Sequence, residues 1–322
     1  MHAVRVAALA LLALPVFAGT VSAAEYPSAP VRVVVPYPAG GLVDIVMRVV
    51  GDRLSAELSQ QFVIESRVGA GGTIATGSVA RAEPDGYTLL AITDSHATNP
   101  LAFKDLPYDS VADFAPIGLI GRSPLILTVH PLVPARSVKD FVALARQKAN
   151  APLSYGSIGY GSAPHLASEV FKAQAGIELV HIPYKGGAPA VNDLVAGHIN
   201  AMFLSPIVSA PHIKSGALVA LGIAATDRFP SLPDVVTMRE TGYPMEAGYW
   251  VGLVAPAKTP AAVVATLDCA LQRVLEQDDV RNRLTDIGLV VTHKDAKALG
   301  DYIVEQTRYW KGFTEKNNIK FD

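Results

Sequence analysis

Short apolar runs alternate with segments of helical periodicity along almost the whole of this 322-residue chain. The runs fall at residues 31–37, 62–65, 88–93, 117–120, 125–130, 179–184, 199–204, 218–224 and 250–255. Between them the helix ends are readable. Ser137 precedes a helical pattern over 138–148, with Asp140 placed for a capping box. Pro189 suits the first turn of a helix that Gly197 closes. Thr259-Pro260 opens a long helix that carries Val263, Leu267, Leu271, Val274 and Leu275 on one face. Such alternation predicts an α/β fold with mostly parallel sheets, because a parallel neighbour is reached only through a crossover, usually a helix.

The first residues stand apart from that pattern. Arg5 is followed by an apolar stretch over 6–17 and by the small residues Gly19-Thr20-Val21-Ser22-Ala23. This is the order of a cleavable signal peptide over 1–23, which implies export to the periplasm. About 12 apolar residues are too few for a membrane span of ~20. There is no twin arginine for the Tat route, and no cysteine near the cleavage point for a lipid anchor. The remainder, 24–322, is long enough for two lobes. No long linker separates them, and 121–124 and 248–250 are short enough to be crossovers.

Composition narrows the function classes. Lys and Arg total 27 against 29 Asp and Glu, a net charge of −2 with no basic block, so nucleic acid is not an expected partner. The single cysteine, Cys269, cannot form an internal disulfide. No H-E-x-x-H or clustered Cys/His spacing is present, so neither metal nor cofactor is expected. No G-x-S-x-G surrounds Ser157, and the glycine turn at 69–72 lacks the lysine of a P-loop. The residues therefore give no catalytic centre, and no enzyme is expected.

Two glycine-rich turns carry the functional signal. Pro36-Tyr37-Pro38-Ala39-Gly40-Gly41-Leu42-Val43-Asp44 follows one apolar run, and Ser154-Tyr155-Gly156-Ser157-Ile158-Gly159-Tyr160-Gly161-Ser162 precedes a helical pattern opening at Ala163. Each carries a strand into a helix through residues with little side chain, which suits backbone amides and a helix start to a carboxylate or phosphate. Ala39, Gly40 and Gly41 are expected at the anion, with Asp44 tethering the turn because an acid repels a carboxylate. Ser157, Gly159, Gly161 and Ser162 form the opposing turn, with Ser162 also a natural N-cap and His165 one helical turn beyond. Asp94, Ser95, His96 and Thr98 follow the strand at 88–93 and should line the same opening; Tyr184 and Gly186 end another strand comparably. The ligands of open α/β sheets lie outside the carboxyl ends of strands, where all these residues fall.

Eight ordered motifs bring in a family. Pro38-Ala39-Gly40-Gly41 with Asp44, Arg67-Val68-Gly69-Ala70-Gly71-Gly72 and Pro84-Asp85-Gly86-Tyr87-Thr88 come first. Leu106-Pro107-Tyr108-Asp109, the 154–162 turn with His165, and His181-Ile182-Pro183-Tyr184-Lys185-Gly186 follow. Pro211-His212-Ile213-Lys214-Ser215-Gly216 and Ala255-Pro256-Ala257-Lys258-Thr259-Pro260 complete the set. Together they resemble the Bug proteins, periplasmic solute receptors of tripartite tricarboxylate transporters, over essentially the whole mature chain.

The resemblance implies a type II periplasmic binding protein, with two α/β lobes joined by two crossing strands and closing on a small carboxylate. Lobe one would be 24–124 plus 251–322, and lobe two 125–250. The partners it implies are an organic mono- or dicarboxylate and the large and small membrane subunits of a permease; a sensor presenting its closed form to a signalling partner is the alternative. Three positions depart from the family pattern. Val43 stands where many relatives carry a hydroxyl. Leu204-Ser205 stands where many carry an acid for a ligand ammonium, and Asp94 replaces a small neutral residue. Val43 and Leu204 together suggest a less polar cleft and a ligand with an apolar body, whereas Asp94 pulls the other way, either meeting a ligand amine or pointing to solvent.

Overall fold

The computed structural model describes residues 26–148 and 150–319. The signal peptide expected over 1–23 lies outside them. The chain opens with β1 (Val31–Val35), α1 (Leu42–Glu57), β2 (Phe62–Ser66), α2 (Thr73–Ala80), β3 (Thr88–Ile92), α3 (Asp94–Ala102) and the long β4 (Phe114–Pro124). A second run follows: β5 (Ile126–Val129), α4 (Val138–Gln147), β6 (Ser154–Ser157), α5 (Ala163–Ala175), β7 (Val180–Pro183), α6 (Gly187–Ala196), β8 (Ala201–Leu204), α7 (Pro206–Lys214) and β9 (Val219–Ile223). The chain ends with β10 (Gly248–Pro256), α8 (Ala261–Glu276), α9 (Asp278–Asp286), β11 (Val290–Lys294) and α10 (Ala296–Lys316).

These elements form two sheets. The first has the order β11-β4-β10-β3-β1-β2 and the second β7-β6-β8-β5-β9. In β1, Val31, Val33, Val34 and Val35 are all buried, as a β-branched strand covered by helices on both faces requires. One face of the first sheet packs on α1 and α8 through Val46, Met47, Leu54, Leu267 and Leu271. The other packs on α2, α3 and α10 through Val79, Ala97, Leu299 and Ile303.

The sheets are mixed, which corrects the expectation of mostly parallel pairing. β1, β2 and β3 are parallel, as are β6, β7 and β8. β10 runs antiparallel to both β3 and β4, and β5 antiparallel to β8 and β9. The cause is the path of the chain. β4 leads out of the first sheet directly into β5 of the second, and β10 must return in the opposite sense beside it. Their ladder pairs Pro124 with Gly248, Ser123 with Tyr249 and Arg122 with Trp250, so the two short segments read as crossovers are hydrogen-bonded neighbours. Gly248 is needed there, because a Cβ would run into the Ser123 carbonyl oxygen.

α10 makes a second connection. Its first half buries Leu299 and Ile303 in the first sheet's core, and its second half lays Trp310 and Phe313 against the second sheet's core. Neither β11 nor α10 stood out in the sequence, since each keeps much of its surface in solvent.

Candidate ligand-binding site

Besides α2, which the chain reaches from β2 through the glycine turn at 69–72, five helices begin at the carboxyl ends of parallel strands: α1 and α3 in the first sheet, and α5, α6 and α7 in the second. No side chain caps the first turn of any of the five, whereas Ser137 and Asp295 cap α4 and α10. First-turn amides lack an intrahelical acceptor and carry the positive end of the helix dipole, so these starts form a setting for an anion. The segments that follow the two sets of strands meet: Thr98 Oγ1 of α3 donates to the carbonyl of Gly161, in the turn before α5, at 3.2 Å.

In the first turn, Ala39 and Gly40 are exposed and Gly41 is half-buried at the N-cap of α1. The Gly40 amide donates to Asp44 Oδ2 at 2.9 Å, and the Gly41 amide to the Pro38 carbonyl at 3.2 Å. Those two amides therefore hold the turn, and the groups it offers an anion are the uncapped first-turn amides of α1. Asp44 is the tether. Arg48 grips both its oxygens at 3.0 Å, and Ser66 Oγ adds a bond at 3.2 Å. Burial opposes ionisation of this carboxyl, but Arg48, the Gly40 amide and Ser66 together hold it below its usual range.

The second turn is built on a stack of rings. Ser157 is fully buried, with its Oγ 2.6 Å from His181 Nε2 and accepting the Gly159 amide at 3.1 Å. His181 lies between Tyr155 and His165 at ring separations of 4.8 and 4.3 Å, and Tyr160 meets both histidines edge-on. His165 Nδ1 accepts the Gly161 amide at 3.1 Å, so it is the unprotonated nitrogen. Burial pushes both histidines down to about 4; for His181 the facing His165 adds to the effect. The structure thus turns Ser157 away from solvent, correcting its expected direct contact with a ligand. It likewise makes His165 a support for the turn. Ser162 stands at the N-cap position, but its Oγ donates to the Gly159 carbonyl at 2.6 Å and does not cap α5. Gly159 and Gly161 adopt φ of +116° and +73°, which glycine alone takes readily.

After β3, Ser95 Oγ is committed to Tyr37 Oη at 2.6 Å and Thr93 Oγ1 at 3.0 Å. His96 faces inward, its Nε2 2.7 Å from the Ser110 carbonyl, so it does not line the opening. Asp94 is buried, and its Oδ1 has no hydrogen-bond partner. Burial pushes its carboxyl up to about 7. Tyr184 donates to Asp193 Oδ2 at 2.6 Å, and Gly186 is the N-cap of α6 with φ +124°. Ser205 is the buried N-cap of α7. Leu204 points into the core with Ala190 and Leu194, and Val43 into the core under α1, so neither side chain makes the cleft apolar. That overturns the basis for an apolar-bodied ligand: strand alternation and helix periodicity aim both residues inward.

Sequence reasoning named His181 only as part of a family motif and missed its role, because nothing local shows that it meets Ser157 across β6 and β7. It also missed a cavity of about 720 Å³ beside the β4–β10 crossing, which touches Asp94 but neither glycine-rich turn. Among the described residues no group of three or more His, Cys, Asp or Glu side chains is placed to hold a metal.

Two α/β sheets joined by a pair of antiparallel crossing strands, with helix starts facing one another across the gap, define a two-lobe solute-binding protein. Over residues 46–319 the chain matches the model of the tripartite tricarboxylate transporter family receptors. It belongs to that family, one of receptors and not of enzymes. Protein BugT of Bordetella pertussis is 32% identical over 94% of each chain. Among solved structures, Rpa4515 of R. palustris with adipate superposes with a TM-score of 0.84 at 33% identity, covering 92% of this chain and 99% of that one. MatC (Rpa3494) of Rhodopseudomonas palustris with bound malate gives 0.77 at 33% identity, over 89% and 99%.

Proposed function

We propose that this protein is a periplasmic receptor that captures a small organic carboxylate between lobes formed by 24–124 with 251–322 and by 125–250. It then delivers that ligand to the large and small membrane subunits of a tripartite transporter. The observation that carries the reading is the set of five helix starts without side-chain caps on facing strand ends, bridged by Thr98 and Gly161. Such amides suit a carboxylate and need no cation, and relatives with adipate and malate support the class. In this reading α1 and α5 hold one carboxylate from opposite sides, the turns at 39–41 and 157–162 fix the aim of those amides, and Ser205 at α7 with Gly186 at α6 receives the far end. Export through the segment 1–23 supplies the compartment.

The test is calorimetry of the mature chain with adipate, malate, glutarate and glutamate. At least one dicarboxylate is expected to bind at micromolar concentration and to raise the melting temperature by several degrees; at ~100 times Kd the linkage is about 2.7 kcal/mol. Absence of binding by every acid at millimolar concentration overturns the reading. Delivery is tested in vesicles carrying the two membrane subunits, where uptake should depend on the added receptor.

A further inference from the structure

The cavity beside the strand crossing adjoins the cleft just described, sharing with it Asp94 and Ala163, the first residues of α3 and α5, and extends away from both glycine-rich turns. None of its walls comes from the turns at 36–44 or 154–162. Its volume, about 720 Å³, lies within the range of small-molecule sites. Two cations of the first lobe converge on one ring in it. The guanidinium carbon of Arg122 on β4 lies 4.9 Å from the centre of the Tyr302 ring of α10, and Lys294 Nζ on β11 lies 6.0 Å from the same centre. Neither cation is fully used. Arg122 reaches Glu246 only at 3.8 Å and leaves its buried Nε without an acceptor. Lys294 forms no ion pair among the described residues.

Further polar groups of the walls lack partners. Ser123 Oγ and Trp250 Nε1, on the facing strands of the crossing, are buried with no hydrogen-bond partner among the described residues. A buried donor or acceptor without a partner costs about 1–3 kcal/mol, so four such atoms around one cavity, counting Asp94 Oδ1, argue for an occupant. Trp310 and the half-exposed Tyr309 supply an apolar flank. Glu246 and Glu305 also border the space, which disfavours a di- or tricarboxylate and suits a single negative charge.

We propose that the cavity beside the crossing strands is a second ligand site, which takes a monocarboxylate with an aromatic or similarly flat apolar body. Arg122 and Lys294 receive the carboxylate, and Tyr302, Tyr309 and Trp310 cover the body. The opposite wall comes from the segment after β9, around Phe229, and from Leu166 of α5, which belong to the second sheet's half. The width of the site therefore changes with the angle between the lobes. A ligand fitted to one angle biases closure, and by reciprocity a cleft ligand alters the affinity of this site.

The experiment uses 1-naphthaleneacetate, followed by its own fluorescence and by calorimetry, on the mature protein. Its neutral amide serves as the control for charge. The acid is expected to bind with one-to-one stoichiometry and the amide at least tenfold more weakly. Arg122→Gln and Lys294→Gln should each weaken the acid tenfold or more, with Arg122→Lys retaining part of the affinity. Gly159→Val, which distorts the cleft turn, should leave the acid bound while abolishing dicarboxylate binding. Circular dichroism and melting curves establish that each variant is folded. Loss of the acid in Gly159→Val but not in Arg122→Gln or Lys294→Gln would place it in the cleft and overturn the proposal. Equal binding of the amide, or no binding of the acid at millimolar concentration, overturns it as well. Because the dicarboxylate arm is read separately, failure here leaves the reading of the cleft standing.

Discussion

At the scale of single residues, two kinds of buried group give the protein opposite responses to pH. Asp94 keeps its proton up to about pH 7 in the folded chain, because its side chain is desolvated and its Oδ1 has no hydrogen-bond partner, whereas the unfolded chain loses that proton near the ordinary carboxyl value. The folded state thus holds the extra proton between about pH 4 and 7, and rising pH through that window lowers stability, by roughly 4 kcal/mol at most. Asp94→Asn should therefore raise the melting temperature at pH 8 by several degrees and change it little at pH 4. A difference that stays constant with pH would sink this account. His165 and His181 have the opposite sign. Folded, they stay neutral down to about 4, while the unfolded chain protonates them near 6.5. Their contribution is complete above about pH 6.5 and is lost as pH falls toward 4. His181→Phe preserves the ring stack but removes the shortest of the Ser157 Oγ hydrogen bonds, leaving those to Gly159. It should cost about 1–3 kcal/mol in denaturant titrations at pH 7 and weaken the acid sensitivity, together with a clear loss of dicarboxylate affinity. Unchanged affinity would mean that the turn does not need its histidine support.

At the scale of elements, the β4–β10 ladder is the part whose sequence is most constrained by backbone proximity. A Cβ at Gly248 meets the Ser123 carbonyl, and one at Gly121 meets the Val290 carbonyl, so neighbouring backbones lie closer than any side chain permits. Gly248→Val should lower the unfolding free energy by several kcal/mol, since a collision with backbone in a hydrogen-bonded ladder is relieved only by parting the strands. Urea titration of the variant checks this. A loss under 1 kcal/mol would show that the crossing strands adjust freely. The glycines of this ladder were legible only as short crossovers. Their necessity follows from pairing between residues more than 120 positions apart, which no local pattern records.

At the scale of the whole molecule, the lobes are connected by the two crossing strands and by α10, which puts Leu299 and Ile303 in one core and Trp310 and Phe313 against the other. The Thr98–Gly161 bond shows the segments that follow the two sets of strands in contact, the arrangement expected of closed jaws. Hinge motion about the crossing strands would break that bond and open the cleft. Small-angle scattering should give a larger radius of gyration for the ligand-free protein than for its complex with a tight dicarboxylate. Equal radii, with binding confirmed by calorimetry, would count against closure.

The alternation of apolar runs and helical segments was enough to determine an α/β chain, and the glycine-rich turns at 36–44 and 154–162 pointed to the edge where helix starts gather. Both signals are local, because strand and helix periods and the demand for small residues at tight turns are written within a few positions. Tertiary structure decided the rest. It set antiparallel neighbours into both sheets, since a strand returning from the second half must run against the one that left. It turned Leu204, Val43 and His96 inward, since their direction depends on which face meets a core. It brought His181 to Ser157, and Arg122 and Lys294 to Tyr302, through pairings of distant segments. Such contacts carry the chemistry of both sites, and they exist only once long-range packing has fixed which strands and helices are neighbours.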